Sequence, residues 1–206
     1  MIQVFDMDQG GDDWFQARLG IPTASKFATV MAKGEGKIRS EYMRKLAGEI
    51  LTGEVADGFS SAHMDRGSAM EDEARLKYAL SEGVEPYQVG FIRNGNKGGS
   101  PDSLIGENGG LEIKTALPHI QIDRLERDRL PPEHKAQVQG NLWVAEREYW
   151  DFVSYWPRLP MLCVRVYRDE DYIKTMSEEI DRFNDELAAL VERIRAYGQE
   201  PKREAA

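Results

Sequence analysis

The chain has 206 residues, 41% of them hydrophobic and 31% charged, and a formal net charge of −9. That length supports one good core, so a single domain over residues 1–206 is expected. No apolar run approaches the roughly 20 residues needed to cross a bilayer, and "MIQVFDMDQGGDDW" lacks a basic start followed by an apolar block. The lone cysteine, Cys163, excludes an internal disulfide and a cysteine cluster for zinc or iron–sulfur. A reducing, cytoplasmic setting is expected, with Cys163 in "MLCVRV" read as a small buried hydrophobe on a strand.

In chain order, Asp12 or Asp13 can cap a short helix through "WFQARLG", and "PTASKFATVMAK" reads as a second helix between Pro22 and Gly34. In "SEYMRKLAGEILTG", Tyr42, Leu46 and Ile50 recur every four residues, an apolar helical stripe that ends at Gly53. A fourth helix runs from about Ser61 to Leu80. From Tyr87 the pattern turns extended: "YQVGFIRN", "GSPDSLIGE" and "GLEIKTA", separated by "GNKGG" and "NGG", predict a β-meander. A helix follows Pro131 and Pro132 over "EHKAQVQGNLWVAE", then "YWDFVSYW" and "LCVRVYR" read as strands. A long amphipathic helix from about Glu170 closes the chain. This order predicts an α/β (α+β) fold, a mixed β-sheet flanked by helices on both sides.

The net charge alone argues against a nucleic-acid partner, because phosphate binding draws on Lys and Arg. Its distribution is uneven. Acids crowd the C-terminal helix, while basic residues gather in "KGEGKIRSEYMRK", in "DRLERDRL" and at Arg18, Lys26 and Arg66, so local positive patches are expected.

The chemistry gathers in "SPDSLIGENGGLEIKT". Strand alternation turns Leu111, Ile113 and Thr115 to one face and Glu112 with Lys114 to the other. A turn at "GENGG" folds Asp102 back toward Glu112. Two adjacent carboxylates repel unless a cation lies between them, and hard oxygen donors, with the Ile113 carbonyl added, suit Mg²⁺ or Mn²⁺. A lysine beside such a cation can hold or deprotonate an attacking water, which points to phosphodiester hydrolysis. A bare acid-x-Lys pair is more often a surface ion pair on a strand, and the motif gains weight here because Pro101 and Asp102 precede it at a hairpin's separation and a further acid lies on the helix upstream. Glu71, beside the apolar stripe of Met70, Ala74 and Tyr78, can turn inward. The histidines His63, His119 and His134 show no ligand spacing, and the aromatics of "NLWVAEREYWDFVSYW" suit a core better than base stacking.

The ordered blocks "DDWFQARLGIPTASKF", "RGSAMEDEAR", "SPDSL", "LEIKT", "AQVQGNLWV" and "WDFVSYWPR" resemble the bacteriophage lambda exonuclease family, the YqaJ-type viral recombinases, over about residues 12–175. The resemblance implies a PD-(D/E)XK, restriction-endonuclease-like core and a Mg²⁺-dependent exonuclease that degrades one strand of duplex DNA from its 5′ end. It makes Asp102, Glu112 and the Ile113 carbonyl metal ligands, Lys114 the water-activating residue and Glu71 an acid at a second metal. Gln137 matches the family's active-site glutamine, with Gln139 the alternative. Arg18, Ser25 and Ser100 correspond to the pocket for a 5′ phosphate. A ring-shaped homotrimer on double-stranded DNA ends and a single-strand annealing protein as partner are implied as well. A structure-specific endonuclease or resolvase on the same fold, and a silent DNA-end-binding protein, are the other readings.

Overall fold

A computed structural model describes residues 1–32, 36–55 and 62–197, the side chains of residues 62–69 excepted. Its helices are α1 (Asp12–Ala17), α2 (Phe27–Val30), α3 (Lys37–Thr52), α4 (Ala62–Glu82), α5 (Pro118–Arg127), α6 (Lys135–Ala145) and α7 (Glu170–Arg195). The strands are β1 (Ile2–Phe5), β2 (Pro86–Tyr87), β3 (Phe91–Asn94), β4 (Lys97–Gly99), β5 (Ser103–Ile105), β6 (Gly109–Thr115), β7 (Tyr149–Tyr155) and β8 (Leu162–Tyr167).

The main sheet has five strands in the order β2-β5-β6-β7-β8. Only β6 and β7 run parallel, and α5 and α6 form the crossover between them, so the sheet is mixed as expected. The extended segments are not a single meander. The β3–β4 hairpin pairs with β1 in a separate three-stranded sheet, because β1 takes the free edge of β3 in the register Ile2 to Asn94. Sequence reading missed β1, a strand of four residues whose burial does not alternate: Ile2 and Phe5 at its ends are half-buried and Gln3 and Val4 are exposed.

Cover on the two faces of the main sheet follows from the alternation of β6 and β7. Leu111, Ile113, Val153 and Tyr155 pack with Ala74 and Tyr78 of α4 on one face. On the other, Trp150 and Phe152 join Val138 and Leu142 of α6 and the apolar stripe of α7, Ile173, Met176, Ile180, Phe183 and Leu187. Burying a side chain of this size stabilises the fold by about 1.5–3 kcal/mol. Trp150, Phe152 and Tyr155 are thus core residues, as expected.

Several helix boundaries differ from expectation. Gly11, not an aspartate side chain, stands at the N-cap of α1, and Asp12 and Asp13 occupy its first turn. The stretch after Pro22 is a 3-10 turn, Ala24–Lys26, followed by the single turn of α2. The helix starts late because the Pro22 carbonyl accepts from Gly98 N and Thr23 bridges to Gly98, which holds this segment extended. Gly53 ends α3 in the left-handed conformation, φ 71°, as the sequence suggested. Cys163 is exposed on β8 rather than buried, since β8 is an edge strand. Its thiol is pushed up to about 12 by desolvation and by Asp151, which leaves it a poor nucleophile. Among the described residues no helix is long and apolar enough to cross a membrane.

Candidate active site

The β5–β6 hairpin sets Ser103 opposite Leu111 and Ile105 opposite Gly109. This register places Asp102, in the bend just before β5, alongside Glu112 and Ile113. The Asp102 Oδ2 atom accepts from Ile113 N at 2.5 Å. In an extended strand the N–H and C=O of one residue leave by the same edge, so the Ile113 carbonyl also faces the Asp102 side, beyond the end of the β5 ladder.

Glu112 is 1% exposed, and its partners are all nitrogen donors. Lys114 Nζ lies 2.5 Å from Oε1, Gln137 Nε2 donates to Oε1 at 2.5 Å, and Asn141 Nδ2 donates to Oε2 at 3.0 Å. Glu71 on α4 pairs with Arg75 at 2.6 Å, and the Arg75 Nε atom donates to Ser103 Oγ at 3.1 Å, one residue from Asp102. Asp102, Glu112, Lys114, Glu71 and Gln137 are therefore brought together at one end of the sheet.

The electrostatics follow from burial among like charges. Desolvation, then the Glu112 and Glu71 charges, hold the Asp102 carboxyl well above the usual carboxylate range. Glu71 is raised by burial and by Glu112, against the pull of Arg75. Burial pulls the Lys114 ammonium down, but Glu112, Asp102 and Glu71 outweigh it and hold the group above the ordinary lysine value. Crowded hard oxygens that resist joint ionisation match the donor chemistry of a small divalent cation. Among the described residues, no three His, Cys, Asp or Glu side chains form a metal cage by themselves. Two carboxylates with a backbone carbonyl and substrate or water oxygens would complete such a site.

Gln139, the alternative glutamine, faces away: its Nε2 donates to the Tyr167 carbonyl and its Oε1 accepts from Asp169 N. Residues two apart on a helix diverge, so only one of the two can face Glu112, and the packing of α6 selects Gln137. Asn141 was missed by sequence reading, although it stands four residues after Gln137, a spacing that shares a face.

Of the remaining candidates, Arg18 and Ser25 lie along the N-terminal helices, and Ser100 directly follows β4. The Arg18 guanidinium stacks over the Trp14 ring at 4.1 Å, and Trp14 Nε1 donates to Ser100 Oγ at 2.9 Å, so one indole links the two residues. Arg18 and Thr23 line a cavity with Lys26, Tyr42, Lys45 and Glu49. Ser25 is exposed on the adjacent turn, 3.4 Å from the Thr23 hydroxyl. Of the "DRLERDRL" patch, Arg124 is buried against Ser154 and His134, and Arg127 is paired with Asp123, which removes much of its free charge. His134 begins α6 half-buried, stacked on Phe152, and His119 is exposed. The side chains of His63 and Arg66, and residues 33–35 of the "AKGEGKIRS" loop, lie outside the described residues.

No curated protein matches the chain. The solved structure of LHK-Exo in complex with dAMP superposes with a TM-score of 0.83 at 35% identity, covering 90% of this chain and 96% of that one. Another structure of LHK-Exo, described as an alkaline exonuclease from Laribacter hongkongensis, gives 0.81 at 34% identity over the same shares. A phage-related exonuclease from Haemophilus somnus 129PT shares the fold at a TM-score of 0.66 and 14% identity, over 84% of this chain and 96% of that one. The model of the YqaJ-like viral recombinase domain matches residues 13–148, which span the α4 acid, the β5–β6 hairpin and the α6 amides. The chain belongs to the YqaJ-like viral recombinase family.

Proposed function

We propose that the protein is a Mg²⁺-dependent 5′-to-3′ exonuclease that removes 5′ mononucleotides from one strand of linear double-stranded DNA and leaves a 3′ overhang for recombination by strand annealing. The observation that carries this reading is the convergence of Asp102, Glu112 and Lys114 at one sheet end, with Glu71 and Gln137 beside them. Family membership supports it, as does the alkaline exonuclease activity named for the Laribacter relative. The dAMP bound to that relative supports a mononucleotide product here.

Asp102, Glu112 and the Ile113 carbonyl would hold the cation, with Glu71 at a second one. When bound, Mg²⁺, or Mn²⁺ in its place, supplies a Lewis acid that withdraws charge from the scissile phosphoryl group. Lys114 holds the attacking water and, as the neutral amine, takes its proton. Since the surrounding acids favour the ammonium, the reaction should speed up at alkaline pH. Gln137 donates through its Nε2 to Glu112 and keeps its carbonyl oxygen for orienting that water. Arg18, Ser25 and Ser100 receive the 5′ phosphate, for which a guanidinium and two hydroxyls are suited.

A homotrimeric ring with an acidic exterior and a basic lining would reconcile the net charge of −9 with DNA ends as substrate. A single-strand annealing protein as partner and a cytoplasmic location complete the reading. The test is digestion of 5′- and 3′-labelled linear duplex with Mg²⁺, comparing 5′-phosphate with 5′-hydroxyl ends and including closed-circular DNA. Release of the 5′ label first, faster from phosphorylated ends, with circles left intact, is expected. Release of the 3′ label first would reverse the polarity, and nicking of circles would favour an endonuclease.

A further inference from the structure

A carboxylate as sheltered as Glu112 must find its hydrogen-bond donors inside the protein. Two of them come from one helix face. Gln137 and Asn141, four residues apart on α6, divide the carboxylate between them: Gln137 takes Oε1 and Asn141 takes Oε2. Their depths differ. Gln137 is half-buried at the site, whereas Asn141 is 2% exposed. The Asn141 amide is wedged on its other side as well, since a Cβ added to Gly99 of β4 would lie 2.6 Å from Asn141 Oδ1. Its orientation is fixed by charge, because turning the amide over would set Oδ1 against the Glu112 carboxylate.

We propose that Asn141 is a positioning residue for the metal centre: by holding Oε2, it fixes the plane of the Glu112 carboxylate that is to bind a divalent cation. This role rests on Glu112 being a metal ligand, as proposed above. Asn141 itself is too deep to touch substrate and acts only through Glu112. A carboxylate held at Oε1 alone can rotate about its Cγ–Cδ bond, and each rotation turns its lone pairs off the cation. Partners that orient metal ligands in this way change metal affinity or activity by about 10–100-fold when removed.

Serine at position 141 is too short to span to Oε2 yet keeps a polar side chain, and alanine removes the contact outright. The experiment measures Mn²⁺ binding to the DNA-free protein by electron paramagnetic resonance for the wild type, Asn141→Ser and Asn141→Ala. Thermal melting in EDTA and the Mg²⁺ dependence of single-turnover cleavage are followed in parallel. The expected result is a Mn²⁺ Kd weakened about tenfold or more, with the Mg²⁺ needed for half-maximal cleavage raised by a similar factor. Melting of at least the serine variant should shift by no more than a few degrees, and high Mg²⁺ should restore part of the rate. Wild-type Mn²⁺ affinity in a folded serine variant would overturn the proposal. So would an unchanged Mg²⁺ requirement with a rate loss that only tracks the fraction unfolded. A protein whose Mn²⁺ affinity depends on Asn141 but that leaves DNA intact would support the positioning role and refute the nuclease reading.

Discussion

Lys114 Nζ and Gln137 Nε2 converge on the same oxygen of Glu112, each at 2.5 Å, one from the strand that carries the acid and the other from the helix packed above it. The lysine is thereby held at the carboxylate rather than turned to solvent. Lys114→Ala should lower single-turnover cleavage by about 10²-fold or more, the scale of a lost general base, while duplex-end binding in Ca²⁺ stays within a few-fold. Lys114→Arg should fail similarly, because guanidinium keeps its proton across the accessible pH range. Wild-type rates in either variant between pH 7 and 10 would reduce Lys114 to an ion-pair residue.

Asp151, 1% exposed on β7, accepts from Tyr78 Oη of α4 at 2.5 Å and takes two bonds from Arg165 of β8, at 2.8 and 2.7 Å. This network ties the helix that carries Glu71 to the sheet. Asp151→Ala should cost about 2–3 kcal/mol, because it strands the buried Tyr78 hydroxyl and unpairs Arg165. Tyr78→Phe, which leaves the ion pair in place, should cost about 1 kcal/mol. Urea unfolding midpoints at constant slope would check both values.

His134 Nε2 lies 2.9 Å from Arg124 Nη2, which requires an unprotonated ring nitrogen as acceptor. Burial, then the Arg124 and Lys114 charges, push the imidazole down to about 4. A depressed folded value means that the unfolded chain binds the proton first. This residue's contribution to stability is therefore present above pH 6.5 and is lost as pH falls through about 4. His134→Gln should flatten that part of the stability-versus-pH curve, and an unchanged slope between pH 6.5 and 4.5 would contradict the assignment.

Gly140, between Gln139 and Asn141, gives α6 its close approach to the N-terminal helices. An added Cβ would lie 2.6 Å from Phe27 Cδ2 and 3.2 Å from Ala24 Cβ, and the Phe27 ring is fully buried. Gly140→Ala should destabilise by about 1–3 kcal/mol despite the better helix propensity of alanine. It should also weaken catalysis, since both amides that hold Glu112 move with α6. An unshifted melting temperature would mean that Phe27 can yield without cost.

The sequence by itself determined whatever is periodic or local. The alternation of "LEIKT" put Glu112 and Lys114 on one face, the apolar stripe of α7 was readable over its full length, and Gly53 marked the end of α3. The hairpin spacing brought Asp102 to Glu112 because a short turn leaves few registers open. Periodicity failed where burial and polarity part company. In α5 the buried residues include Gln121 and Arg124, which bond to Ser154, whereas Ile120 and Ile122 are exposed, so no apolar stripe announced the helix. Only the tertiary structure decided which partners α6 brings to Glu112 and which glutamine it turns away. Only it decided, too, that β3 and β4 leave the main sheet for β1. Those outcomes depend on contacts between residues 25 or more apart, such as Gln137 with Glu112 and Ile92 with Val4, and no local pattern encodes which distant surface a given face will meet.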